Sequence, residues 1–320
     1  MSEMWKSYRL DTCLFEPPSI QAPILRATAR ISTLPPRVDL RPLCSKVEDQ
    51  GQVGSCAANA VVGALEYHQR KAGLNVTDLS RLFVYYNARN MANKTAEDCG
   101  TMISHVMASV LAFGACEERL WPYIEAMWPE KPTQACYGNA LRYEAVSYAR
   151  APLGDACLIA LAQGLPIVFG TFLPSDFYGV AAQTGVVPEV SESVEAPGGG
   201  HAMLLVGYDL PTRTWLVRNS WSEKFADRGY FRIPFSTLNT YSMPDGFWTI
   251  GAIEVLEGVQ LHGLGVREAM RAASMAAPND VESSLERLRK NIRKKLNTDL
   301  EEKRKDVRDR LRGPGVGGGY

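Results

Sequence analysis

Between residues 57 and 164 the apolar positions recur three and four apart, whereas beyond residue 200 they come in short, dense runs. The first spacing predicts helices over 57–72, 78–91, 101–114 and 154–164, with Met102, Val106, Val110 and Leu111 sharing one stripe. The second predicts strands: HAMLLVGYDL, TWLVRNSW, GYFRIP and FWTIGAIEVLE are rich in β-branched and aromatic residues and are separated by turn residues such as LPT and ADRG. A helical half followed by a strand-rich half predicts an α+β protein of two lobes. Between the halves, PEVSESVEAPGGG reads as a loop that delivers the chain to His201.

Both ends depart from this texture. Residues 1–34 are dotted with proline and weakly patterned, which predicts a leader, and the globular pattern sets in near RVDLRPLC and runs over 35–257. In 258–320, Leu285, Leu288, Ile292, Leu296, Leu300, Val307 and Leu311 form one stripe on a long charged helix, and GPGVGGGY closes the chain with a flexible composition. Arg267 to Arg312 carries 14 Lys and Arg against 9 Asp and Glu. A solvated or self-pairing helix is the expectation there.

Composition narrows the chemistry. Lys and Arg number 35 and Asp and Glu 35, so no net charge argues for a nucleic-acid or membrane partner. No apolar run stands behind a basic start and none reaches roughly 18 residues, so the default expectation is a cytoplasmic protein, with export by a signal-independent route left open. The 7 cysteines are scattered, with no CxxC and no paired histidine spacing. That predicts free thiols, no metal site and no cofactor.

One of these thiols has a special setting. In QGQVGSCAANA, residues 50–60, a glycine-rich turn runs into Cys56 at the start of a predicted helix, where the peptide dipoles favour thiolate over thiol. A thiolate nucleophile needs a base, and the base needs a group to orient its ring. Of the 4 histidines, His68 lies three turns along the same helix, His105 falls within a helical pattern and His262 sits in a poorly patterned stretch. His201, opening a strand directly after GGG, is the best candidate, and at 145 residues from Cys56 it meets the thiol only across two lobes. Asn219 begins a polar turn in VRNSW; its side-chain oxygen, accepting from one ring nitrogen, would leave the other facing the sulfur.

These blocks, QGQVGSC, HAMLLVGYD and WLVRNSW followed by GYFRIP, resemble the papain-like cysteine proteases, in the order and spacing of that family. RVDLR, CGTM and GACEERLWPY add weaker support, and the short leader is similar to that of bacterial members. The resemblance implies a helical left lobe and a β-barrel-like right lobe with the cleft between them. It implies Cys56 as nucleophile, His201 as base, Asn219 as the group orienting the imidazole, Gln50 as oxyanion donor beside the Cys56 N–H, and Trp221 as a cover over the His–Asn bond. Cys99 and Gly100 would line the substrate backbone, and Met102, Gly170 and Ala202 would wall a pocket for an apolar residue second before the scissile bond.

Departures from the family pattern are local. Val53 replaces a cysteine that normally forms a disulfide, Ala57 replaces an aromatic after the nucleophile, Gly200 precedes the histidine where some members are polar, and Ser222 follows the tryptophan in place of glycine. The expected function is cysteine endopeptidase, with protein or peptide substrates. The leader, over about 10 to 25, is expected to lie along the cleft as an intramolecular inhibitor. An acyl transferase or deamidase using the same residues, and a protease-derived binding effector, are the alternatives.

Overall fold

The computed structural model describes residues 4–16, 22–25, 33–140, 142–190 and 200–255, all within one compact unit. The predicted C-terminal helix and His262 lie outside the described residues. So do residues 17–21 and 26–32 of the leader and most of the loop before His201.

Seven strands make one antiparallel sheet. They are β1 (Arg37–Asp39), β2 (Tyr143–Arg150), β3 (Ile167–Thr171), β4 (His201–Asp209), β5 (Thr214–Arg218), β6 (Tyr230–Pro234) and β7 (Ser242–Val255), in the order β2-β7-β3-β4-β5-β6 with β1 beside β4. The expectation of a barrel-like lobe is corrected to an open sheet, because among the described strands the two ends of the order, β2 and β6, do not pair with each other. The helices are α1 (Cys56–Lys71), α2 (Arg81–Met91), α3 (Ile103–Ala112), α4 (Gln134–Ala140), α5 (Asp155–Ala162), α6 (Ser175–Thr184) and α7 (Phe235–Tyr241).

The continuous apolar run of β4 follows from its place at the centre. Ala202, Leu204 and Val206 join the core built around α1, α2 and α3, while Met203, Leu205 and Tyr208 join a second core with α5, α6 and α7. A strand covered on both faces has no reason to alternate with polar residues. Helix α1 is likewise buried from Cys56 to Gln69, which is why alanine and glycine dominate its first turns. A Cβ at Gly63 would stand 2.6 Å from Nη1 of Arg218, so only glycine lets that guanidinium reach across from the end of β5.

Local chemistry sets the helix ends. Ser80 caps α2 by accepting from the Phe83 N–H at 3.1 Å. Gly100, at φ +73°, keeps α3 from starting before Ile103, and Gly114, at φ +69°, turns the chain after it. Helices α6 and α7 and strands β2 and β3 carry no pattern that the sequence reading singled out.

Candidate active site

Cys56 is the first residue of α1, His201 the first of β4, and Asn219 follows the last residue of β5. Antiparallel pairing of β4 with β5 brings His201 and Asn219 to one end of the sheet, and α1 packs its N-terminus against β4. Nε2 of His201 and Oδ1 of Asn219 are 2.9 Å apart. Since that oxygen only accepts, Nε2 carries the proton and Nδ1 presents a lone pair, with no hydrogen-bond partner among the described residues. Asn219 is held in turn: its N–H donates to Gly229 O, and its Oδ1 also accepts from the Ser220 N–H, both at 2.9 Å.

Trp221 lies fully buried against the imidazole, centroids 5.0 Å apart and planes at 28°, and Tyr178 meets the same ring edge-on at 5.9 Å. Both exclude water from the His201–Asn219 bond, which strengthens it. The Cys56 sulfur accepts from the Ala202 N–H at 3.4 Å.

Gln50 is fixed by the residue after Asn219. Its N–H donates to Ser220 O at 2.9 Å, its Oε1 accepts from the Ser220 hydroxyl at 2.6 Å, and its Nε2 donates to Val53 O at 3.3 Å. Tyr123 ties the same loop to the helical side, donating to Gln50 O at 2.8 Å and sharing a 2.6 Å bond with Ser55 Oγ. Ser220 and Tyr123 were not singled out by sequence; the serine sits inside NSW and could have been.

The leader crosses this site. Thr12 Oγ1 and Cys56 Sγ share a hydrogen bond of 3.3 Å. Thr12 and Cys13 donate their N–H groups to Gly200 O at 3.1 and 2.9 Å, Thr101 N–H donates to Thr12 O at 3.0 Å, and Leu14 N–H to Thr101 O at 3.1 Å. Arg9 pairs with Asp98 at 2.8 Å, and Glu16 accepts from the Ser104 N–H at the start of α3. Tyr8 is already in contact, ahead of the expected start near residue 10. Farther on, Leu25 N–H donates to Arg150 O of β2.

The expected pocket residues are distributed around the leader. Gly170 pairs with Ala202 across β3 and β4, and a Cβ at Gly170 would meet Met243 Sδ at 2.6 Å and Cys13 Sγ at 3.0 Å. Cys13 thus fills the space beside Gly170, and Met243, on β7 and unpredicted, closes it. A Cβ at Gly100 would stand 2.0 Å from Thr12 O, and one at Gly200 2.4 Å from Cys13 O. Gly100, expected to line the substrate backbone, lies against the leader backbone, and the paired bonds come from Thr101. Met102 occupies the N-cap position of α3 without a side-chain capping bond, and the half-buried Cys99 directs its thiol to Gly100 O at 3.5 Å.

Burial governs the titration of the central pair. It pushes the Cys56 thiol up, against the lowering effect of the Thr12 and Ala202 hydrogen bonds, and holds His201 down at about 4 despite the Asn219 bond. With the leader seated, both groups are neutral at pH 7. His68, buried in α1, is held at about 3 by burial and by Lys71. All seven cysteines are free, and Val53 is buried where the family disulfide would attach. Among the described residues no cluster of three or more His, Cys, Asp or Glu is placed to hold a metal ion, and no helix is long and apolar enough to cross a membrane.

Comparison with known proteins agrees with this arrangement. A family model for papain family cysteine proteases matches residues 34–246. A peptidase C1-like protein of Acanthamoeba polyphaga mimivirus is 34% identical over 213 residues, 63% of this chain and 68% of that protein. Cathepsin S of Mus musculus is 29% identical over 226 residues, 65% of this chain and 61% of that one. The crystal structure of xylellain, a cysteine protease from Xylella fastidiosa, superposes with a TM-score of 0.69 at 29% identity, covering 78% of this chain and 98% of its own. The chain belongs to the papain family of cysteine proteases, enzymes that hydrolyse peptide bonds.

Proposed function

We propose that the protein is an endopeptidase in which Cys56 attacks, His201 moves the proton and Asn219 orients the ring, and that its leader keeps this site latent. The carrying observation is the 2.9 Å bond between His201 Nε2 and Asn219 Oδ1, which leaves Nδ1 as the free base. Nδ1 takes the proton of the Cys56 thiol, and the sulfur adds to the carbonyl carbon of the peptide bond. The imidazolium returns its proton to the departing amine, and water, deprotonated by Nδ1, releases the acid from the thioester. The Cys56 N–H and the Gln50 amide, held by Ser220, supply the oxyanion donors. Gly170, Ala202, Met102 and Met243 fit an apolar side chain on the acyl side.

Latency is supported by what the leader offers the sulfur. Thr12 presents a hydroxyl to Cys56, so the nucleophile is engaged in a hydrogen bond to the leader. Alkylation by an epoxide thiol inhibitor, located by mass spectrometry, tests both parts. Single-site labelling at Cys56, slow in the intact chain and faster once the leader is loosened, is expected, together with loss of peptide cleavage by more than about a thousandfold in Cys56→Ala. Labelling spread over several cysteines at alkaline pH only would reject the nucleophile assignment. Product masses with and without an added amine separate hydrolysis from acyl transfer.

A further inference from the structure

While Cys13 lies against Gly170 and Met243, Tyr8 lies against Trp221 and Asp49, with Thr12 over Cys56 between them. The Tyr8 ring stacks on the indole, centroids 4.8 Å apart and planes within 10°, and its hydroxyl donates to Asp49 Oδ1 at 2.8 Å. The rest of the indole is enclosed by His201, Tyr178 and Phe225 at 5.0, 4.9 and 5.1 Å. Asp49 is itself positioned, because its Oδ1 also accepts from the Gly51 N–H at 3.0 Å and its backbone bridges to Trp221. Tyr8 is only 9% exposed, and burial and the Asp49 carboxylate both push its phenol up, so it remains a hydrogen-bond donor across the working range. An aromatic face and a fixed acceptor together form a site for a phenol, and Tyr8 is its present occupant.

When the leader leaves, that face and that carboxylate open to the cleft. The amine expelled by the reaction takes its proton from His201, so the residues attached to it leave along the side of the ring where Trp221 lies. We propose that Trp221 and Asp49 form a substrate subsite that reads tyrosine on the leaving-group side of the scissile bond, with Asp49 as the residue that distinguishes tyrosine from phenylalanine. The inference rests on the endopeptidase reading for its biological use, but the subsite itself is a matter of binding. A site that accepts a hydrogen bond from a ligand hydroxyl discriminates against the analogue that lacks it. Asp49 is exposed to solvent, which limits the expected preference to about tenfold.

The test uses the full chain with Tyr8→Ala, which empties the subsite. In thermal melts, p-cresol is expected to bind this variant at least about fivefold more tightly than toluene, and the difference is expected to vanish in Tyr8→Ala with Asp49→Ala. Equal binding of the two probes, or a preference indifferent to Asp49→Ala, overturns the proposal. With internally quenched peptides that differ only in Tyr, Phe or Ala at the first three positions after the scissile bond, kcat/KM is expected to favour Tyr over Phe about tenfold at one position. That ratio should fall to about one with Asp49→Ala. Tyr8→Phe, which keeps the stack, guards against a misfolded alanine variant: Cys56 alkylation is expected to speed up severalfold, and an unchanged rate counts against the Asp49 contact. Selective p-cresol binding without cleavage of any peptide would reject the peptidase reading and leave the subsite standing.

Discussion

Cys56, His201 and Asn219 stand at the ends of elements that are buried along their length, whereas Tyr8 to Glu16 cross them with no ladder of their own. The wall is held by the sheet register and by two cores. The leader is held by separate contacts of one or two bonds each, to Asp49, Asp98, Gly200, Thr101 and Ser104, and by burial of Tyr8 and Cys13. Each such bond contributes only about 1 kcal/mol net, so the leader is expected to detach at lower cost than the wall unfolds. The latency proposed above would draw on that asymmetry: a rigid site and a cover released by a few small changes.

Acid acts on the wall through its buried imidazoles, and gives the largest expected effect. His201 is held at about 4 and His68 at about 3, both below the ordinary histidine value of roughly 6.5. As pH falls through 6.5 the unfolded chain takes up these protons first. Stability is therefore full above about 6.5 and is lost as pH drops towards 4 for His201, by roughly 3 kcal/mol. Urea midpoints at pH 7.5 and 4.5 check this, and a constant midpoint would contradict the buried neutral imidazole.

Gly200→Ala acts on the cover. Its Cβ would stand 2.4 Å from Cys13 O, a backbone atom that gives way only if the leader shifts. Overpacking of this kind costs about 2 kcal/mol, so Cys56 alkylation should rise roughly 30-fold with little change in melting temperature of the body. A rate equal to wild type would mean that the leader is not what limits access. Thr12→Val removes the hydroxyl on the sulfur and should raise the same rate by five- to tenfold, about 1 kcal/mol. Ser222→Gly touches only the wall: Ser222 holds φ +60°, where the family has glycine, so relief of strain should stabilise by about 0.5 kcal/mol with no change in alkylation. An accelerated alkylation in that variant would blur the separation of wall from cover.

The wall was largely legible along the chain. A thiol after a glycine-rich turn, a histidine opening a strand and an asparagine closing another are local patterns, and the short antiparallel connection of β4 to β5 carries the histidine and the asparagine together. The runs at 201–209, 214–218 and 230–234 are dense in β-branched and aromatic residues because both faces are covered. β2 and β3 escaped notice for the opposite reason: each is made a strand by its partners, β2 by the long β7 and β3 by β4 and β7. An open sheet in place of a barrel follows from the same pairings, which no single segment encodes.

Sequence by itself determined which residues are candidates for the chemistry, since thiol, imidazole and amide have distinct roles and their flanking turns mark element ends. Only the tertiary structure decided what faces them. Thr12 and Tyr8 lie in a stretch without periodicity, and their places on Cys56 and Trp221 depend on how a chain with no ladder of its own crosses two walls that are built from distant segments; Met243 reaches Gly170 only through the pairing of β7 with β3. Contacts of that kind arise from shape and burial in three dimensions, and the one-dimensional pattern holds no trace of them.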